Sequence, residues 1–176
     1  MKVEVYSGDD EVELLLDGHS IGRRPAGREH RYTAFFEVPY SAGVLTAIGH
    51  TAGSASAPYS LSAPIGAPRL LAYAERSAIG SGDGALGFVR IDVVDAEGTV
   101  LATDDRAVSV EVDGSGELIA LGSAKPDNAE KFSQGSHRVF RGALLAVVRP
   151  NGRGTIRLRA SADGLASSTV EIEVSA

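Results

Sequence analysis

Apolar residues along the chain recur at every second position, not at the 3.6-residue spacing of a helix. Val12, Leu14 and Leu16 alternate with Glu11, Glu13 and Leu15, and Ala34, Phe36 and Val38 share one face opposite Thr33 and Glu37. Val89, Ile91 and Val93 alternate with Arg90 and Asp92, and Val108, Val110 and Val112 repeat the rhythm. Ile156, Leu158 and Ala160 stand against Thr155, Arg157 and Arg159, as do Val170, Ile172 and Val174 against Glu171 and Glu173. One apolar and one polar face per run is what antiparallel sheets with a wet side require. The pattern predicts an all-β chain. Leu70 to Ile79 carries a helical stripe (Leu70, Leu71, Ala74, Ala78), but Pro68 and Gly80 box it in, and it is read as a strand followed by a loop.

The punctuation agrees. Asp17-Gly18 between two strand-like runs signals a tight hairpin, because a type I′ turn needs positive φ at both central residues. Asn151-Gly152, Asp113-Gly114, Asp163-Gly164 and Glu97-Gly98 are turn signals of the same kind. Residues 52–68 are rich in small residues and proline, which cannot donate to a sheet ladder and so belongs on edges or in linkers. This places a boundary between two β-sandwich modules, 1–64 and 65–176. The first is short for an independent sandwich, so the chain is expected to begin just inside it or to lean on a neighbouring segment.

Length changes the picture by exclusion: 176 residues cannot hold a (β/α)₈ barrel, which needs roughly 250. The net charge of −6 argues against nucleic acid, whose binding needs a concentrated basic face. The absence of cysteine removes disulfides, thiolate metal sites and cysteine nucleophiles. No 18-residue apolar run exists and the start Met1-Lys2-Val3-Glu4 is no signal peptide, so no membrane partner is expected. The chain is read as cytosolic or as a piece of something larger, with the piece preferred.

Candidate chemistry is sparse. Gly82-Asp83-Gly84-Ala85-Leu86-Gly87 fits the G-x-G-x-x-G spacing, but a strand, not a helix, follows it, so a loop is expected there. Asp9-Asp10-Glu11 and Asp104-Asp105 have no calcium loop around them and read as solvated turns. The remaining acids are expected in turns or on exposed strand faces, with no pair marked out as the opposed carboxyls of a glycosidase. His19, His30, His50 and His137 lack metal-ligand spacing and read as isolated surface or rim histidines. No nucleophile elbow and no P-loop occurs. No catalytic residue, metal site or cofactor is therefore assigned.

Arg23, Arg24, Arg28, His30 and Arg31 form a basic stretch read as a solvated loop or docking face, with an anion or polysaccharide contact as its functional alternative. Phe132, His137, Arg138, Phe140 and Arg141 fall in a long loop of the sort that carries binding at a sandwich end, although packing across the loop is preferred. Sugar-binding sandwiches favour flat aromatic platforms, and this chain has no Trp. Tyr6, Tyr32, Phe35 and Phe36 read as strand residues. The ligand-binding candidates are Tyr40, Tyr73, His137 and Arg138.

Val3-Glu4-Val5-Tyr6-Ser7 followed by Glu11-Val12-Glu13-Leu14-Leu15-Leu16-Asp17-Gly18-His19-Ser20-Ile21-Gly22 resembles the C-terminal accessory domains of glycoside hydrolase family 2, the β-galactosidase-like enzymes. Phe36-Glu37-Val38-Pro39-Tyr40 and Gly43 to Gly49 are similar to that family's V-P-Y-x-P-G-x-L-x-A-V-G. Asp83 to Val89, Val93 to Gly98, Gly116 to Gly122 and Phe140-Arg141-Gly142 resemble the module that follows, itself similar to the bacterial Ig-like repeats of invasins. Asp17, Ala42 and Ser123 depart from the pattern. The resemblance implies two Ig-like antiparallel β-sandwiches forming the non-catalytic scaffold of a parent that hydrolyses β-galactosides or related β-glycosides. Its partner would be an upstream catalytic barrel of the same polypeptide, which holds the catalytic glutamates. A carbohydrate-binding module assisting the parent and a surface adhesion module are the alternatives.

Overall fold

The computed structural model describes residues 1–39 and 43–176. The chain divides into two compact units, Met1–Pro64 and Ile65–Ala176. Both are β-sandwiches, each with two sheets closed over one buried cluster.

In the first unit, β1 (Lys2–Tyr6) pairs with β4 (Thr33–Glu37) as a two-stranded antiparallel sheet. The facing sheet is built from β2 (Glu11–Leu16), flanked by β3 (His19–Pro25) and β5 (Val44–Thr51). β6 (Ser54–Ala55) and β7 (Tyr59–Ser62) both pair with β5, so part of the small-residue stretch expected on edges or in linkers is edge strand. Val12 and Leu14 from β2 meet Ala34 and Phe36 from β4, with Ala26 and Val38, in a single buried cluster. The Asp17-Gly18 hairpin forms as its chemistry requires, with φ of 50° and 79°. Asp9 is half-buried, against expectation: its carboxylate accepts hydrogen bonds from Ser7 Oγ (2.7 Å), Thr51 Oγ1 (3.1 Å) and Ser56 Oγ (3.2 Å). The Ser7 hydroxyl above all holds its pKa below the usual carboxylate value. Gly49 makes room for that carboxylate, since a Cβ there would stand on its oxygen.

Ahead of β4, a single 3₁₀ turn (Arg28–His30) ends at Arg31 and Tyr32, two successive residues at φ 54° and 61°. Left-handed backbone costs an L-residue about 1–2 kcal/mol. The turn is clamped by hydrogen bonds from Tyr32 N–H to Gly27 O (2.6 Å) and from Ser7 N–H to Tyr32 O (2.9 Å). Tyr32 is thus an exposed turn residue, not the strand residue expected.

The second unit stacks a four-stranded sheet on a five-stranded one. The first has the order β12 (Gly116–Gly122), β14 (Ala143–Pro150), β10 (Gly87–Val94), β8 (Arg69–Ala74). The second has the order β13 (Ser136–Arg138), β11 (Ala107–Gly114), β15 (Gly154–Ser161), β16 (Ser168–Ser175), β9 (Ala78–Gly80). Leu70, Val89, Ile91, Leu121, Leu144 and Ala146 face Val108, Val110, Ile156, Leu158 and Ile172 across the core. The Leu70 stripe is a strand, as expected, but the segment after it is not wholly loop: β9 runs parallel to β16.

Two of the turn signals do something other than close hairpins. Asp113-Gly114 and Asn151-Gly152 stand where the chain leaves one sheet for the other, from β11 to β12 and from β14 to β15. Ser115 ties these corners together, donating its N–H to Thr155 O (3.0 Å) and its hydroxyl to Arg153 O (2.9 Å), and accepting from Asn151 N–H (3.0 Å).

Two acids expected at the surface are buried, Asp92 and Asp95. Asp95 is tolerated because backbone N–H groups of Ile65 (2.8 Å) and Thr99 (2.7 Å) donate to its carboxylate. Chiefly the Ile65 bond holds its pKa below the ordinary 3.8. A depressed folded-state pKa contributes stability that is present above the unfolded value and lost as pH falls through the folded one. Thermal melts are therefore expected to show the second unit losing stability below about pH 4. Asp95→Asn should lower the midpoint at neutral pH and flatten that acid limb; an unchanged limb would mean that Asp95 contributes nothing to it.

Candidate functional site

The outward face of the four-stranded sheet carries the most developed surface feature of the second unit. Alternation along β10 sends Val89, Ile91 and Val93 inward and Phe88, Arg90 and Asp92 outward; along β14 it sends Leu145 and Val147 outward. On β12 the register shifts between Leu118 and Ala120. This bulge keeps Leu121 in the core while turning Ala120 and Gly122 to the outer face. Register then aligns Gly122, Leu145, Arg90 and Tyr73 in one row across four strands.

A groove of about 470 Å³ opens on this face, lined among others by Arg90, Ala120, Gly122, Phe132, Leu145 and Val147. Its wall depends on glycine: a Cβ on Gly122 would lie 2.5 Å from Phe132 Cδ1. Phe132 is positioned from beneath by His137, whose ring stacks on it at 6.0 Å and 7°. His137 is 1% exposed, so it is neither a surface nor a rim histidine. Its Nδ1 lies 3.1 Å from both Glu130 Oε2 and the Arg138 carbonyl, two acceptors, so Nδ1 carries the proton and Nε2 accepts from the Asn128 amide at 2.9 Å. The long loop is thus stapled internally, and part of it is β13.

Charge at the groove is confined to one corner. Arg90 Nε donates to both oxygens of Asp92 (2.9 and 3.0 Å), and the Tyr73 hydroxyl donates to Asp92 Oδ2 at 3.3 Å. Burial, then the Asp92 charge, raises the Tyr73 pKa above its ordinary value. Arg90 is the only ionisable residue among those lining the groove. Such a surface recognises apolar groups, and its lining carries no acid–base pair.

Of the ligand-binding candidates, Tyr73 stands in the row just described, 43% exposed. His137 and Arg138 lie on β13 in the other sheet, and Arg138 pairs with Asp105 at 3.1 Å, both exposed. Tyr40 lies outside the described residues. The structure does not bring Tyr73, His137 and Arg138 to one surface. The residues that do converge with Tyr73 are Arg90, Asp92 and Leu145, for which the i, i+2 charge pair on a strand is the sole local signal.

Residues 70–171 match the family model "Glycoside hydrolase family 2 C-terminal domain 5", and residues 1–57 match a domain of unknown function, DUF4982. The chain is 27% identical over 169 residues to the β-galactosidase BoGH2A of Bacteroides ovatus, covering 95% of this chain and 20% of that protein. A glycosyl hydrolase family 2 member from Bacteroides cellulosilyticus superposes with a TM-score of 0.92 at 28% identity, over 98% of this chain and 24% of that one. A β-glycosidase from Bacteroides vulgatus shares the fold, with a TM-score of 0.85 at 23% identity, over 99% of this chain and 22% of that one. The chain therefore spans about a fifth of the length of the curated relative it matches. With the family model covering more than half of its residues, the chain belongs to the C-terminal domains of glycoside hydrolase family 2.

Proposed function

We propose that the chain is a non-catalytic C-terminal scaffold of a β-galactosidase-type glycosidase, whose parent polypeptide hydrolyses β-galactosides or related β-glycosides. The observation that carries this reading is the outward face of the four-stranded sheet. Phe132 (56% exposed), Leu145 (45%), Tyr73 (43%) and Phe88 (39%) leave an apolar surface in water around a groove with a single charged wall. Contiguous apolar surface of this kind marks a contact with another protein surface. In the parent, this face packs on the remainder of the polypeptide, and the opposed carboxyls that glycoside hydrolysis needs belong to the catalytic barrel there.

The expected result with a chromogenic β-galactoside is no turnover by the 176-residue chain. Leu145→Asp separates packing from folding. Introduced into the parent enzyme, it should lower the unfolding midpoint. In the 176-residue chain, where Leu145 already meets water, the change stays within about 0.5 kcal/mol. Turnover by the chain alone, or a parent indifferent to Leu145→Asp, refutes the scaffold reading.

A further inference from the structure

The scaffold reading leaves one feature of the first unit unused. Arg23, Arg24, Arg28 and Arg31 crowd into nine residues with Glu29 as the single acid among them, in a chain whose net charge is −6. Arg23 pairs with Glu13 at 3.1 Å, and the Arg24 guanidinium stands 6.0 Å from the Phe36 ring centre. Arg28 and Arg31 make no salt bridge among the described residues, and Arg28 through Tyr32 are all exposed. Tyr32 ends this run 51% exposed, and its carbonyl is hydrogen-bonded to Ser7, next to Tyr6, which is 74% exposed. Arg31 and Tyr32 are the two successive left-handed residues held by the Gly27 clamp. No core contact recruits either side chain. The turn thus carries two exposed cations and an exposed ring, with Tyr6 exposed on the adjoining strand and its hydroxyl donating to Glu4 Oε2 at 3.1 Å.

We propose that this turn, with Tyr6, is a binding site for an acidic polysaccharide. Carboxylates of a uronate-bearing chain pair with the Arg28 and Arg31 guanidinium groups, whose planar fork matches a carboxylate with two parallel hydrogen bonds. The sugar rings lie on Tyr32 and Tyr6; Tyr32 offers an apolar face and a polar tip, and Tyr6, whose hydroxyl is held by Glu4, offers its face alone. Charge selects the ligand class: a neutral glycan would gain nothing from the cations, and nucleic acid needs a broader basic surface than one turn supplies.

The test is affinity electrophoresis of the 176-residue chain in gels holding polygalacturonate, neutral galactan or dextran sulfate. Arg31→Asn and Tyr32→Asn are the variants of choice because asparagine accepts left-handed backbone; their thermal midpoints should match or exceed that of the parent sequence. Polygalacturonate is expected to retard the chain and neutral galactan to leave it unmoved. Arg31→Asn should weaken the retardation by about two- to fivefold, the loss of one solvent-exposed ion pair. Tyr32→Asn should weaken it in polygalacturonate but not in dextran sulfate. The proposal is overturned by an unretarded chain or by equal retardation of Arg31→Asn. It is overturned equally by a Tyr32→Asn variant that behaves as the parent sequence in polygalacturonate, which would mean polyelectrolyte attraction alone.

Discussion

Ile156→Ala is expected to destabilise the second unit by about 3–4 kcal/mol, the range for removing a fully buried branched side chain from a packed core. Ile156 is wholly inaccessible, pairs directly with Ile172 on β16, and fills the space beside Gly116, where a Cβ would come within 2.6 Å of its Cδ1. Gly116, beside it on the opposite sheet, has no side chain to move into the space. For a unit of this size the loss corresponds to a midpoint lower by about 10 °C or more, read by calorimetry. Ile156→Val, which removes one methyl, should cost about 0.5–1.5 kcal/mol. Equal costs for the two variants would mean that the volume at this point does not matter to the core.

A still sharper loss is expected from Gly114→Ala. Gly114 has φ of 84°, and an added Cβ would stand 2.2 Å from the carbonyl oxygen of Thr155. The left-handed backbone alone costs alanine about 1–2 kcal/mol. The clash adds to it, because the obstructing atom is backbone and cannot rotate away. That same carbonyl accepts the Ser115 N–H, so relieving the clash pulls apart the two corners at which the chain changes sheets. A total above about 4 kcal/mol places this substitution among the exceptional ones, and soluble yield should collapse. Gly98→Ala is the matched control: its φ is 89°, but its added Cβ meets open space, so only the strain is incurred. Denaturant midpoints that fall equally in both variants would mean that the close approach to Thr155 costs nothing beyond the strain.

How far the sequence can be read depends on whether a signal is local. Period-2 alternation predicts β2, β4, β10, β11, β15 and β16, because which face a strand buries is written residue by residue. The Asp17-Gly18 hairpin is legible for the same reason. Asp113-Gly114 carries the same positive-φ chemistry but turns the chain between sheets, and nothing within the dipeptide distinguishes a hairpin from a corner. β9 is three residues long, and what makes it a strand is Glu173–Ser175, some ninety residues away. The burial of Asp95 depends on an N–H at Ile65, and that of His137 on Asn128 and Glu130 folding back over it. Beyond the Arg90–Asp92 pair the groove has no local signal: it needs a bulge at Leu118, a missing side chain at Gly122 and an aromatic ring ten residues later. Tyr73 stands out in the sequence for its aromaticity, whereas its surroundings come from strands that alternation alone does not order.

The parallel ladder between β9 and β16 also sets a clock. Residues 78–80 leave the ribosome well before residues 173–175, the strand they pair with, are made. At roughly 5–20 residues per second, that interval is about 5–20 s. Throughout it Ile79 has no strand to lie beside, and Ile156 and Leu158 on β15, once made, lack the neighbour that covers their edge until β16 follows. The five-stranded sheet therefore closes only once residues 173–175 have been made, and until then the nascent unit keeps that edge open.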